Sequence, residues 1–235
     1  DTGFNPFDVD SKITIVPKNF TLETQSNPWK TKYAFLGINL VGSTVFFDGV
    51  NEKGLAGGLL FLNACTWDKK ENIEKEGLTP INSGEIVPWI LSNFESVSDI
   101  KENISKVVVT SEDIPSLGEL GKGHPLTVHY TFTDKKGDSV VLEPTNHGHF
   151  RVFDNTVGVM ANDPTFDWHM TNLANYMQVQ GVNRKQNKLN EKTTITPISN
   201  GTGLLGLPGD YTSPSRFVRA AYLRNLIDDV SDEEA

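Results

Sequence analysis

The stretch STVFFDGVNEKGLAGGLLFL (residues 43–62) limits the fold of this 235-residue chain more than any other. Two apolar runs flank the segment DGVNEKG, in which Gly49, Asn51 and Gly54 are residues that turns prefer. The pattern predicts a β-hairpin with a longer loop. The second run, GLAGGLLFL, is apolar at almost every position, so we expect its sheet to be covered on both faces.

The other apolar patterns change period along the chain. Alternation predicts strands at residues 12–17 and 32–39, a hairpin over residues 126–144 that turns at DKKGD, and two short strands around Asp154–Asn155. Helical spacing predicts two short helices within residues 81–106, with a break near Glu95–Ser98, and two later helices over residues 165–177 and 213–227.

The last of these predicted helices has the clearest sequence signals for its start and for its buried face. Ser213 is its predicted N-cap and Pro214 its first helical residue. Its predicted buried face is formed by residues three or four apart, namely Phe217, Ala220, Leu223 and Ile227.

The element order of strands, helices, strands and two helices indicates an α+β fold rather than a parallel βαβ series. Two stacked sheets between helical layers would cover the apolar strands on both faces. No repeat or linker marks a boundary, so residues 1–235 are predicted to form a single domain.

Charge and cysteine content exclude several classes of function. The formal net charge of −9 argues against a nucleic-acid partner, and no apolar run is long enough to span a membrane. The single cysteine, Cys65, excludes an internal disulfide framework and a multi-cysteine metal site. Its isolation fits a reducing compartment, so a cytoplasmic location is expected, with export as the open alternative.

The histidines and Cys65 are weak candidates for chemistry. His147 and His149, in the segment HGH, have a spacing that metal sites use, but they lie at a predicted turn without a third ligand. His129 lies in a strand and His169 in a helix, where packing is the simpler interpretation. Cys65 has no basic neighbour that would lower its pKa, and it is expected to be a small buried residue.

Two further residues allow two interpretations each. Asn162 ends a predicted strand in VGVMANDPTFDW, where it could cap a turn or present its amide to developing negative charge. Arg216 lies in the first turn of a helix, where a cation opposes the helix dipole. It could be a surface arginine paired with a carboxylate such as that of Asp210, or part of a charged site.

Three stretches together resemble one protein family. They are FFDGVNEKGLAGGLLF, VGVMANDPTFDWHMTNLANY and GLPGDYTSPSRFVRAAY, and they resemble the choloylglycine hydrolase family, which includes penicillin V acylases and conjugated bile salt hydrolases. The resemblance runs from Asp1 to the helix after Arg216. It implies the four-layer αββα sandwich of the N-terminal nucleophile hydrolases, incomplete here at both termini.

The resemblance also implies the roles of site residues. The family's nucleophile is a cysteine exposed as the first residue, whose own α-amino group is the base. Asp1 matches the family aspartate that holds this cysteine, and Asn162 matches the asparagine whose amide forms half of the oxyanion hole. The backbone N–H at Phe61 matches the other half, and Arg216 matches the arginine that organises the charged cluster. Neither a cofactor nor a metal is implied.

The implied substrate is a small acyl amide, either penicillin V or a conjugated bile salt. Phe61 departs from the tyrosine of penicillin V acylases and the asparagine of bile salt hydrolases, and its aromatic ring weakly favours the acylase type. An acyl-homoserine lactone acylase and a non-catalytic binding module of the same fold are the alternatives. The resemblance also implies a homotetramer for the full-length protein.

The nucleophile and further strands are expected outside this chain. Cys65 cannot replace that nucleophile, because an internal residue has no free α-amino group. We therefore expect the chain alone to be inactive, and to be poorly stable because sheet edges are left unpaired.

Overall fold

The computed structural model describes residues 11–24, 28–40, 42–110, 112–113, 122 and 126–227. The strands among these residues are β1 Lys12–Val16, β2 Thr21–Leu22, β3 Trp29–Lys30, β4 Phe35–Asn39, β5 Phe46–Asn51, β6 Ala56–Phe61, β7 Thr79–Asn82, β8 Val107–Thr110, β9 Val128–Thr133, β10 Ser139–Asn146, β11 His149–Asp154, β12 Asn187–Lys188 and β13 Thr194–Ile195. The helices are α1 Lys70–Lys75, α2 Ile86–Asn93, α3 Val97–Asn103, α4 Phe166–Asn172 and α5 Ser213–Asn225. Short 3₁₀ turns lie at Ser83–Glu85, Ile104–Lys106 and Leu173–Tyr176.

A seven-stranded antiparallel sheet dominates the fold, in the order β1-β4-β5-β6-β9-β10-β11. The strands β7 and β8 form a parallel pair, and the pairs β2–β3 and β12–β13 are antiparallel. The predicted α+β class is therefore confirmed. None of the helices in the described part of the chain is long and apolar enough to cross a membrane.

The two predicted hairpins are the pairs β5–β6 and β9–β10, and they meet in the middle of the sheet. Strand β6 pairs with β9 along its whole length, from Ala56 opposite Thr133 to Phe61 opposite Val128. A Cβ atom on Gly57 would collide with the ring of Phe132 and the carbonyl oxygen of Thr131. Gly57 of GLAGGLLFL therefore allows the Phe132 ring of the next strand to lie against the backbone.

The core lies on the face of the sheet that α2 covers. Phe46, Tyr130 and Phe132 of the sheet are buried in one cluster with Leu55, directly before β6, and Ile90 of α2. The Tyr130 hydroxyl donates to the carbonyl oxygen of Ser83 at 2.7 Å, which satisfies its only polar group. The predicted break between two short helices is confirmed, because α2 ends at Asn93 and α3 begins at Val97.

Asn51 joins the β5–β6 hairpin to α2. Its Nδ2 donates to the carbonyl oxygens of Leu91 at 2.9 Å and Phe94 at 2.8 Å. Its Oδ1 accepts the backbone N–H groups of Lys53 and Leu55, each at 3.0 Å. A residue predicted to serve the turn therefore also holds the carboxyl end of the helix against the sheet.

The described residues group into two compact units. The first takes in the described residues up to Thr156 together with Asn162–Thr165, and the second takes in Val157–Ala161 and the described residues from Phe166. That residues 1–235 form a single domain stays a prediction.

The second unit is organised around Phe217 of α5. The Phe217 ring contacts Phe166 of α4 edge to face at a centroid distance of 6.1 Å. The imidazole of His169 stacks on the same ring at 4.6 Å and is 1% exposed. The predicted packing role of His169 is therefore confirmed.

Two predictions on the last helix were wrong. The N-cap is Thr212, and Ser213 is already helical. The buried face consists of Phe217, Val218 and Ala221, while Leu223 is 47% exposed and Ile227 is 65% exposed. Ala220 is exposed as well. Two neighbouring stripes on this helix both have helical spacing, and the packing of α4 against Phe217 decides between them.

One predicted strand is also absent from the described residues. The pattern indicated two short strands around Asp154–Asn155, but only β11 forms, and residues 155–165 are irregular. The backbone N–H of Asn155 donates to the carbonyl oxygen of Ser139, after which the chain leaves the sheet.

Candidate active site

Asn162 lies against the end of β6. Its Nδ2 donates to the carbonyl oxygen of Phe61 at 3.2 Å. The next residue, Leu62, donates its N–H to Thr127 at 2.9 Å, which fixes the side of the strand that faces β9. Because consecutive residues of a strand point their backbone groups to opposite sides, the N–H and C=O of Phe61 both point away from β9. The structure therefore brings the Asn162 amide and the Phe61 peptide together.

On the other side of β6, the pairing with the neighbouring strand ends before Phe61. Strand β5 pairs with β6 only as far as Asp48 opposite Gly58. The side chain of Phe61 is 51% exposed. An oxygen that carries negative charge could therefore approach the end of β6 from this side.

Asp163 makes a second contact with the same strand end. Its Oδ1 accepts the backbone N–H of Asn63 at 2.8 Å. The peptide bond between Asp163 and Pro164 is cis. Two consecutive residues, Asn162 and Asp163, thus bind the chain at Phe61 and Asn63.

Arg216 lies in the first turn of α5, in the second unit. Its Nε donates to the carbonyl oxygen of Tyr211 at 3.1 Å. The carboxylate of Asp210 holds the turn before this helix, since it accepts the N–H of Thr212 at 2.9 Å and the hydroxyl of Ser215 at 2.7 Å. A carboxylate at this end of the helix also offsets the helix dipole.

These hydrogen bonds lower the pKa of Asp210 from 3.8 to about 2, and the hydroxyl of Thr212 is the largest cause. A carboxyl group with a lowered pKa contributes stability above its unfolded pKa, and this contribution is lost as the pH falls through the folded value. We therefore expect Asp210→Asn to lower the Tm of the full-length protein at pH 7. The difference from wild type should fall to about half at pH 3 and to about a sixth at pH 2.

Thermal melting followed by circular dichroism at several pH values checks this expectation. Asp138→Asn, in the exposed turn between β9 and β10, controls for the loss of one negative charge. A Tm difference for Asp210→Asn that grows as the pH falls would contradict the expected sign.

Cys65 is buried rather than reactive. The thiol is 6% exposed and donates to the carbonyl oxygen of Val128 at 3.2 Å. Burial, and to a lesser degree the nearby Glu143 and Asp163 carboxylates, raise the pKa of Cys65 to about 12. The thiolate is the nucleophilic form, so this residue is a poor nucleophile at neutral pH. The predicted role as a small buried residue is confirmed.

We expect iodoacetamide to alkylate Cys65 in the native full-length protein at least about 100-fold more slowly than in guanidinium chloride, because both burial and the raised pKa protect it. Mass spectrometry of the peptide that contains Cys65 measures the rate. Equal rates in the two conditions would show that the thiol is accessible.

The histidines of the first unit lie where strand packing and turn geometry account for them. His129 is 1% exposed, and its Nδ1 lies 3.1 Å from Oε1 of the fully buried Glu143. The predicted turn at the segment HGH is confirmed, since His147 and Gly148 lie between β10 and β11 with positive φ angles. Among the described residues, no cluster of three histidine, cysteine or acidic side chains could hold a metal ion.

Sequence reasoning missed Asp163 and Glu143. The first stands directly after Asn162 in the segment NDP, where an aspartate before proline signals a turn. The position of Glu143 depends on the register of the β9–β10 hairpin, which places Glu143 across from His129. Asp1 lies outside the described residues, so its predicted role stays a prediction.

Comparison with known proteins identifies the family. The model of linear amide C–N hydrolases, the choloylglycine hydrolase family, matches residues 3–235. The chain belongs to the choloylglycine hydrolase family. A bile salt hydrolase/transferase of Clostridium perfringens is 37% identical over 229 residues, which are 94% of this chain and 66% of that protein. A penicillin V acylase of Pectobacterium atrosepticum is 28% identical over 84% of this chain and 47% of its own length.

The solved structures agree with this assignment to the choloylglycine hydrolases. A variant of conjugated bile acid hydrolase from Clostridium perfringens superimposes with a TM-score of 0.79 at 35% identity, over 94% of this chain and 66% of that one. The chain has the α+β fold of the N-terminal nucleophile hydrolases. It spans just under two thirds of the length of the bile salt hydrolase that it matches.

Proposed function

We propose that the full-length protein carrying this chain hydrolyses linear, non-peptide C–N amide bonds. The hydrogen bond between the Asn162 amide and Phe61 at the end of β6 is the observation that supports this most. It lies in a chain that belongs to a family of linear amide hydrolases. Two N–H donors at such a strand end suit the negative oxygen that develops when an amide carbonyl is attacked.

We infer that the nucleophile is a cysteine outside these 235 residues. Cys65 is the single cysteine of the chain, and burial together with a pKa of about 12 makes it unsuitable. A cysteine at the first position of a mature protein carries its own base, because its free α-amino group can accept the thiol proton. An internal cysteine such as Cys65 has no such group.

The reaction then proceeds in two balanced steps. The thiolate attacks the amide carbonyl to form a C–S bond, and the carbonyl oxygen becomes negative. As that oxygen returns to a carbonyl, the C–N bond breaks and the α-ammonium group gives its proton to the departing amine. Water then attacks the thioester, which releases the carboxylic acid and restores the thiol.

Four residues have roles in this proposal. The Asn162 amide and the Phe61 N–H stabilise the negative oxygen, and removal of one such donor costs about 3 to 4 kcal/mol in other enzymes. Arg216 and Asp1 belong to the charged cluster that orients the cysteine. The carboxylate of Asp210 binds Thr212 and Ser215 at the helix start that carries Arg216.

A conjugated bile salt is the proposed substrate. The 37% identity to a bile salt hydrolase/transferase, against 28% to a penicillin V acylase, supports this choice. Phenoxymethylpenicillin is the second candidate, because the aromatic side chain of Phe61 is 51% exposed beside the proposed oxyanion site. An aromatic contact between this ring and a phenoxy group would contribute about 0.5 to 1.5 kcal/mol.

A panel of amides tests the proposal on the full-length protein. A glycine-conjugated bile salt, phenoxymethylpenicillin and an acyl-homoserine lactone are each incubated with the protein, and the released amine or lactone is measured. We expect the highest kcat/KM with the bile salt and complete loss of activity after treatment with iodoacetamide. A folded protein that hydrolyses none of the three would favour the non-catalytic binding module.

Two parts of the proposal concern the protein as a whole. We expect the 235-residue chain alone to be inactive, so any hydrolysis by this chain would contradict the assignment of the nucleophile. We also expect a homotetramer, which light scattering of the full-length protein measures.

A further inference from the structure

The contacts of Asp163 with the end of β6 differ from those of an ordinary turn residue. Leu62 still makes a strand-type hydrogen bond to Thr127, but β6 ends at Phe61. The next N–H on the Phe61 side of the chain belongs to Asn63, and the Asp163 carboxylate accepts it at 2.8 Å. Asp163 therefore extends the hydrogen bonding of β6 beyond its last residue.

The segment that contains Asp163 is attached to the first unit by these contacts. Asn162–Thr165 groups with the first unit, although the segments on both sides of it group with the second. Two long-range hydrogen bonds hold this short segment: the Asn162 side chain donates to the Phe61 carbonyl oxygen, and the Asn63 N–H donates to the Asp163 carboxylate. The bonds come from two consecutive residues, Asn162 and Asp163, and reach Phe61 and Asn63, so together they restrict rotation of the segment more than one bond alone would.

We infer that Asp163 is a positioning residue, which holds Asn162 so that its amide and the Phe61 N–H point to one place. This inference rests on the proposed amide hydrolysis. An oxyanion donor must be held within about 0.5 Å of its productive position. A donor side chain that loses the contacts around it samples other positions and stabilises the transition state less. A side-chain oxygen of Asp163 accepts the Asn63 N–H at 2.8 Å, which suits Asp163 to this role.

The same arrangement explains how a carboxylate can lie next to a site for negative charge. Oδ1 of Asp163 is directed to the Asn63 N–H, which offsets part of its charge. The acceptor atom, rather than the charge, is what the geometry requires. Asparagine at this position keeps an oxygen that can accept the same hydrogen bond, while alanine removes it.

Kinetics of two variants of the full-length protein test the inference. We expect Asp163→Ala to lower kcat about 10- to 100-fold with KM changed less than about twofold, because misplacement of a donor by about 1 Å acts mainly on the transition state. We expect Asp163→Asn to keep at least about a third of the wild-type kcat, since it retains the acceptor. Asp138→Ala, in the exposed β9–β10 turn, is the matched control and should have wild-type kinetics.

Each outcome decides the question. The Asn63 hydrogen bond is exposed, so water can replace it, and thermal melting should show that both variants fold. If the wild type is active and Asp163→Ala has a kcat within twofold of the wild-type value, the positioning role of Asp163 is contradicted while the proposed amide hydrolysis stands. An increase in KM at constant kcat would mean that Asp163 contacts substrate, which also overturns it. If the wild type hydrolyses no amide in the panel, the proposed function fails first.

Discussion

Asn162→Ala should lower kcat of the full-length protein about 100- to 1,000-fold with little change in KM, the loss observed when one oxyanion donor is removed from other hydrolases. The side chain donates to the Phe61 carbonyl at 3.2 Å, and an amide nitrogen has a second N–H in the same plane. A donor aimed at the developing oxyanion acts on the transition state more than on the bound substrate. Steady-state kinetics with the best substrate of the panel measures the loss.

Two controls make this result specific. Asn200→Ala removes an exposed amide from a loop of the second unit and should leave kcat unchanged. Circular dichroism should show that Asn162→Ala keeps the wild-type fold, because its hydrogen bond to Phe61 is exposed. A folded Asn162→Ala protein with wild-type kcat would remove this residue from the oxyanion role.

Asn51→Ala should be the most destabilising of the substitutions considered, with a loss of about 4 kcal/mol in the free energy of unfolding. Four hydrogen bonds of the Asn51 side chain disappear, and each contributes about 0.5 to 1.5 kcal/mol net. Asn51 is 5% exposed, so the carbonyl oxygens of Leu91 and Phe94 would lose their partner in a buried place. Denaturation of the full-length protein with guanidinium chloride measures the change.

A second variant separates the two functions of Asn51. Asp is also well suited to turns, and Asn51→Asp keeps an oxygen for the N–H groups of Lys53 and Leu55. It loses both donors to α2 and places a carboxylate beside two carbonyl oxygens. We expect Asn51→Asp to be nearly as destabilising as Asn51→Ala. A near-neutral effect would mean that only the turn matters, and Asn187→Ala, on the exposed β12, should change stability by less than about 0.5 kcal/mol.

Local patterns were sufficient for most elements of the fold. The alternation of apolar residues predicted both central hairpins, and the change to helical spacing predicted α2 and α3 with the break between them. These patterns succeed because each hairpin is closed by residues adjacent in sequence and each helix by bonds four residues apart. The three motifs also carried the resemblance to the choloylglycine hydrolases, to which the chain belongs.

The buried face of α5 shows where local patterns were insufficient. Phe217, Ala220, Leu223 and Ile227 have helical spacing, but the structure buries Phe217, Val218 and Ala221. Periodicity predicts that a helix has an apolar stripe, while the rings of Phe166 and His169 determine which stripe is covered. The choice depends on a partner helix that the helix's own sequence does not describe.

In the candidate site too, the sequence determined some features and the tertiary structure determined others. The sequence by itself determined the family, the type of fold and the residues Phe61 and Asn162 as candidates. Only the tertiary structure brought them together, at 3.2 Å across 101 positions of the chain, and only it showed that Asp163 binds the neighbouring N–H. It also decided that Asn51 serves α2 as well as its turn, and how deeply Cys65 is buried. The physical reason is that hydrogen bonds between distant segments depend on how strands and loops pack in space, and a local pattern contains no record of which distant group will satisfy a given donor.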